Sequence, residues 1–184
     1  MRDLDDDDDL RDGDLHDPDL GDDKDDLGGV IEALVATVRK DHLAIHRLAS
    51  DLHCGTPDRE RCAARACACI ARSEPALLQP ALHRLLRVAA AAEDEATRRA
   101  LADALPRLVL TSGEAGRLAF VFEAWLEGSA PPLQRTAMNA MVALVPQRPA
   151  LARRIRSVIE ARAALGSPTA ARHGRALLQT LKEF

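Results

Sequence analysis

Tyrosine is absent from the 184 residues, and the aromatics number four: Phe120, Phe122, Trp125 and Phe184. So few aromatics argue against a β-rich fold, whose strands draw on β-branched and aromatic side chains. They also leave almost no platform on which nucleobases could stack. No apolar run reaches the roughly 20 residues that cross a bilayer, so no membrane partner is expected. The four cysteines crowd into positions 54–69 without the spacing of a disulfide scaffold, which suits reduced thiols in a cytoplasm. The aspartate-rich N-terminus is unlike a secretory signal or a transit peptide. Also missing are a nucleophile motif, a glycine-rich phosphate loop and paired carboxylates in a candidate pocket. No enzyme activity and no cofactor are expected.

What is present is unevenly charged. The formal net charge of −4 averages two different objects. Residues 1–27 carry 14 aspartates against Arg2, Arg11 and Lys24, whereas residues 58–184 carry 19 basic and 12 acidic side chains. Residues 1–29 read as a disordered, Asp-rich tail: like charges at this density repel, and too little apolar surface offsets the entropy of ordering. Such a tail solubilises the chain or covers the basic body. Residues 30–184 read as one helical domain.

The domain repeats. Arg61, Arg98, Arg135 and Arg172 stand 37 residues apart. Two positions on come Ala63, Ala100, Ala137 and Gly174; four positions before come Pro57, Asp94, Pro131 and Pro168. A fixed period of this length is the signature of a helical repeat array. Helices are expected over 58–72, 75–91, 94–109, 113–127, 131–145, 149–164 and 168–182, with 30–52 one long helix or a broken pair. Pro57, Pro75, Pro149 and Pro168 open helices, where a missing N–H costs nothing, and Pro106 should kink or shorten its helix. In the second helix of each unit, Ala81, Leu118 and Ile155 form one core column, Leu85, Phe122 and Ile159 the next, and Ala89, Leu126 and Ala163 a third.

With Pro75-Ala76-Leu77, Arg98, Pro149-Ala150-Leu151 and Gly166-Ser167-Pro168 followed by Arg172 and Gly174, residues 30–184 resemble the HEAT-type repeats, and more narrowly small bacterial HEAT-like proteins. The resemblance implies an all-α, right-handed α-α superhelix of about four helix pairs. It also implies a binding scaffold without naming the ligand.

Two arginine groups are candidate sites. Arg61, Arg98, Arg135 and Arg172 form a ladder on the first helices, about 130° from the core direction. Either each holds helix-end carbonyls or a neighbouring carboxylate, keeping repeats in register, or the ladder binds a protein partner. Arg148, Arg153, Arg154, Arg156 and Arg175, with Arg162 and Arg172, form a C-terminal basic cluster that could neutralise phosphates of nucleic acid or another polyanion. The leading expectation is a non-catalytic protein-interaction scaffold, with end-to-end self-association open to an array whose N-terminal end carries no cap.

His42, His46 and His53 would share one arc of an unbroken helix, but His53 lies about 10 Å along the axis from His46, too far for one ion. No metal site is expected. Cys67 falls on the core face of its helix, while Cys62 and Cys69 share the other face with Arg65 and Arg72.

Overall fold

In a computed structural model the described residues are 23–165 and 168–183, and among them the chain is all-helical. Nine α-helices follow in order: α1 Asp23–Lys40, α2 Ala44–Cys54, α3 Pro57–Ser73, α4 Leu82–Ala91, α5 Glu95–Ala104, α6 Ser112–Ala124, α7 Pro131–Leu144, α8 Ala152–Leu165 and α9 Pro168–Thr180. The expected disordered tail lies outside the described residues up to position 22. Helix α1 begins at Asp23, ahead of the expected Val30. It runs through Gly28 and Gly29 although each glycine costs roughly 1 kcal/mol relative to alanine. Burial of Ile31, Val35 and Val38 on the face that follows offsets this cost.

The segment 30–52 is a broken pair. The Asp41 carboxylate accepts the Leu43 N–H at 2.9 Å, an Asx-type turn that competes with the helical ladder and separates α1 from α2. This break leaves His42 outside both helices, so the three-histidine arc does not form. Among the described residues no group of three metal-ligating side chains gathers, and no helix is long and apolar enough to cross a membrane.

Prolines set the remaining boundaries. Pro57 and Pro131 occupy the first turns of α3 and α7. Pro75 opens a seven-residue 3-10 segment, Pro75–Ala81, before α4 starts. Pro80 is the reason: it has no N–H to give to the carbonyl four residues back, so a full α-helix cannot run through from Pro75. Pro106 ends α5 in the same way, within the 3-10 turn Leu105–Arg107. Side chains cap two helices. Asp94 accepts the Thr97 N–H at 2.8 Å, and Thr111 with Glu114 forms a reciprocal capping box at the start of α6. Gly128 turns the chain from α6 to α7 at φ 67°, a left-handed conformation that glycine adopts without steric cost.

Helices α1, α3, α5, α7 and α9 pack each against the next in that series; α2, α4 and α6 do the same, and α8 lies on α7 and α9. Small side chains allow this close stacking. Ala63, Ala64, Ala66, Cys67, Ala68 and Ala71 are all buried on α3, which contacts α1, α2 and α5. Phe122, Leu85, Leu118, Leu126, Ile155 and Ile159 fill the core in the columns expected from the sequence.

Candidate functional site

Many polar contacts join neighbouring units. Arg39 Nε donates to Glu74 at 2.7 Å, Arg72 Nε to Asp103 at 2.8 Å, and Arg84 Nη1 to the His46 carbonyl and Ser50 hydroxyl at 3.1 Å each. The Gln79 amide clamps the Val109 backbone, donating from Nε2 to the carbonyl at 2.8 Å and accepting the N–H at Oε1 at 3.1 Å, and Gln147 donates to the Pro106 carbonyl at 2.7 Å. Each bond spans 30–41 residues of chain, close to one repeat.

The arginine ladder splits against this background. Arg61 Nε donates to Asp94 at 3.0 Å, tying α3 to the cap residue of α5. Burial raises the Asp94 pKa, but the Thr97 N–H and the Arg61 guanidinium outweigh it and hold the carboxyl below the usual carboxylate range. Arg98 Nε donates to the Ala92 carbonyl at 2.7 Å, and its guanidinium lies 5.9 Å from the Trp125 ring centroid. Trp125 is buried beside Phe122, with ring centroids 5.2 Å apart. Arg135 and Arg172 are exposed, with no hydrogen bond or ion pair among the described residues. Their difference lies in the repeat column four positions before each arginine. Asp94 receives Arg61, whereas the corresponding receivers of Arg98 and Arg135 are Pro131 and Pro168, which offer no carboxylate.

The C-terminal cluster is dispersed. Arg148 donates to the Gln147 carbonyl at 2.8 Å and to the Leu110 carbonyl, and its Nε is buried without a partner. Arg154 pairs with Glu123 at 2.7 Å, Arg156 donates to the Leu181 carbonyl at 2.7 Å, and Arg162 lies 3.8 Å from Glu127. Arg153 and Arg175 are exposed without such partners among the described residues. Three of the five candidate guanidiniums thus hold this chain together.

A large cavity lies on the other layer. It is a groove of about 780 Å³ between α4 and α6, closed at one side by Arg154 of α8. Two matching stripes line it. His83, Leu86, Arg87 and Ala90 of α4 recur at i, i+3, i+4 and i+7; so do Gly113, Gly116, Arg117 and Phe120 of α6. Each set falls within about a 100° arc of its helix. Glycine at 113 and 116 leaves open space, since an added Cβ at either place would meet nothing within 4 Å. Phe120, 63% exposed, makes one end of the floor, with the Arg154 guanidinium 5.9 Å from its ring centroid. Leu86, Ala90, Leu118 and Val121 supply the rest of the apolar lining.

The rim is cationic. Arg87 and Arg117 are exposed and form no hydrogen bond or ion pair among the described residues. His83 Nδ1 lies 3.5 Å from Glu114. The Thr111 N–H and hydroxyl, with smaller help from His83 and Arg117, hold the Glu114 carboxyl below the usual range. That carboxylate is therefore spent on the α6 cap and stays charged beneath the groove. An apolar floor with fixed cations on its edge suits an amphipathic ligand carrying acids beside aliphatic side chains.

The groove was readable in principle. Phe120 stands two residues from both Leu118 and Phe122, so it is apolar yet off the core stripe. Gly113 and Gly116 precede it on the same face, and Arg117 and Arg154 occupy one repeat column 37 residues apart. The cysteines divide by burial. Cys62 and Cys67 are buried and Cys69 is exposed; burial pushes the Cys67 thiol up to about 12. Comparison with family models, with curated proteins and with solved structures finds no match.

Proposed function

We propose that the chain is a HEAT-like α-solenoid, a right-handed superhelix of about four helix pairs, acting as a non-catalytic interaction scaffold in the cytoplasm. Its binding surface is the α4–α6 groove rather than the arginine ladder, and its ligand is an acidic partner segment bearing leucine-like side chains. One observation carries this reading: Phe120 is held exposed over an open apolar floor while Arg87 and Arg117 stand unpaired at the rim. The ladder is weaker ground because Arg61 and Arg98 already serve contacts within the chain. The inter-unit bonds support a preformed groove, which lowers the ordering cost of binding.

A peptide library displayed on phage and selected on the full chain tests the proposal. Sequences rich in Asp or Glu with interspersed Leu should be enriched, and Phe120→Asp should abolish their capture. No enrichment, or enrichment of sequences indifferent to Phe120→Asp, would remove the groove as the site.

A further inference from the structure

Resting on the groove reading above, we infer that the chain carries its own competitor for that site: residues Leu4–Leu10, the run Leu-(Asp)5-Leu, dock in the α4–α6 groove of the same molecule. The chemistry matches on both sides. Asp5, Asp6, Asp7, Asp8 and Asp9 are uninterrupted, and Leu4 and Leu10 bracket them. The groove offers an apolar floor at Leu86, Val121 and Phe120, with Arg87 and Arg117 at its rim. The two leucines fill the floor; the aspartates face guanidiniums that lack an ion-pair partner among the described residues.

Reach permits this run. Helix α1 begins at Asp23 and packs on α2, α2 on α4, and α4 on α6. With helix axes roughly 10 Å apart, the groove between α4 and α6 lies about 20–30 Å across the stack from α1. The length of α1 adds at most about 27 Å along the perpendicular direction. The longest path is therefore about 40 Å, since the two components add at right angles. Leu10 is separated from Asp23 by a stretch that extends to about 43 Å, and Leu4 has more to spare. Leu20 extends only about 10 Å and falls short, while Leu15 extends to about 26 Å but has no unbroken run of aspartates beside it. Reach and the unbroken aspartates together favour Leu4 and Leu10 for the groove, with Leu15 and Leu20 as spacer.

Where the span is closer to about 20 Å than to the limit of about 40 Å, the tethered segment acts at an effective concentration near the millimolar range, so even a weak intrinsic affinity keeps the groove mostly filled. An external acidic ligand then binds with its affinity multiplied by the unfilled fraction, and only ligands tighter than the tethered run displace it. Such an arrangement screens out casual acidic peptides and, because its contacts are ionic at the rim, loosens as salt rises.

The test uses full chains and a fluorescein-labelled synthetic peptide of residues 1–12, read by anisotropy at 50 mM NaCl. Leu4→Ser/Leu10→Ser should bind the peptide about five- to tenfold more tightly than the wild type. Leu15→Ser/Leu20→Ser should match the wild type, and Phe120→Asp combined with Leu4→Ser/Leu10→Ser should lose binding. Equal affinity of the wild type and Leu4→Ser/Leu10→Ser, with binding still lost on Phe120→Asp, overturns the inference while leaving the groove reading intact. So does failure of this peptide where library-selected acidic peptides bind. If no acidic peptide binds any chain, the groove reading falls and this inference with it. Sedimentation decides between copies: a wild-type dimer that becomes a monomer in Leu4→Ser/Leu10→Ser puts the run in a second molecule's groove and refutes the intramolecular form.

Discussion

Two glycines in helix interiors should respond in opposite directions to the same added methyl group. Gly116 on α6 and Gly174 on α9 both gain roughly 1 kcal/mol of helix propensity on replacement by alanine. At Gly116 the new Cβ meets nothing within 4 Å, so Gly116→Ala should stabilise the fold by about 0.5–1 kcal/mol. At Gly174 the Cβ would stand 2.9 Å from the Ala163 Cβ and 3.7 Å from its Cα. Carbon atoms in contact prefer about 3.5–4.0 Å, and a Cβ on a packed helix cannot swing aside as a side-chain tip can. Overpacking of this kind costs about 1–3 kcal/mol, which exceeds the propensity gain. Gly174→Ala should therefore destabilise by about 1 kcal/mol, lowering Tm by roughly 2–4 °C for a domain of this size. Ala163→Gly restores the space, so a double-mutant cycle between 163 and 174 should show coupling of about 1 kcal/mol or more. Urea unfolding of the four chains gives the values. Equal stabilisation at 116 and 174, or zero coupling, would refute the claim that α8 and α9 meet through this glycine.

Other expectations follow from the same contacts. Arg98→Ala removes a hydrogen bond to the Ala92 carbonyl and a cation over Trp125, and should cost about 1–3 kcal/mol. Arg135→Ala should stay within about 0.5 kcal/mol, and the same melts compare the two. Asp94 and Glu114 have pKa values held below their unfolded ones. Their stabilisation is complete above the unfolded values of about 4 and is lost as pH falls through the folded ones. The urea midpoint should drop below pH 4, and drop less in Glu114→Gln than in the wild type. A thiol reagent with peptide mapping should label Cys69 in the folded chain and Cys67 only after unfolding, because Cys67 is buried with its pKa near 12.

Periodicity made the helices from position 57 onward readable, because the core columns and the opening prolines recur with the repeat. Local chemistry decided what periodicity left open. The Asp41 side chain broke the first segment into two helices, and Pro80 turned the start of a second helix into a 3-10 segment. For the ladder, the column holding Asp94, Pro131 and Pro168 already contained the reason why Arg61 alone meets a carboxylate in the next unit. The C-terminal basic cluster is dispersed for a physical reason: guanidiniums adjacent in sequence find carbonyls and carboxylates one unit away. The groove stayed hidden because it is made of what the core stripe leaves out, glycine and an off-stripe phenylalanine, on two helices whose register only packing sets.

The most direct test of the groove measures the affinity of one selected acidic, leucine-bearing peptide for full chains altered on each surface in turn. Phe120→Asp should weaken binding at least tenfold, since burying the exposed part of a phenylalanine contributes about 1.5–2 kcal/mol. Arg135→Glu/Arg172→Glu and Arg153→Glu/Arg175→Glu should each change it less than about threefold, the small effect expected of distant exposed charges. The reverse pattern, with Phe120→Asp silent and either arginine pair decisive, would contradict the account.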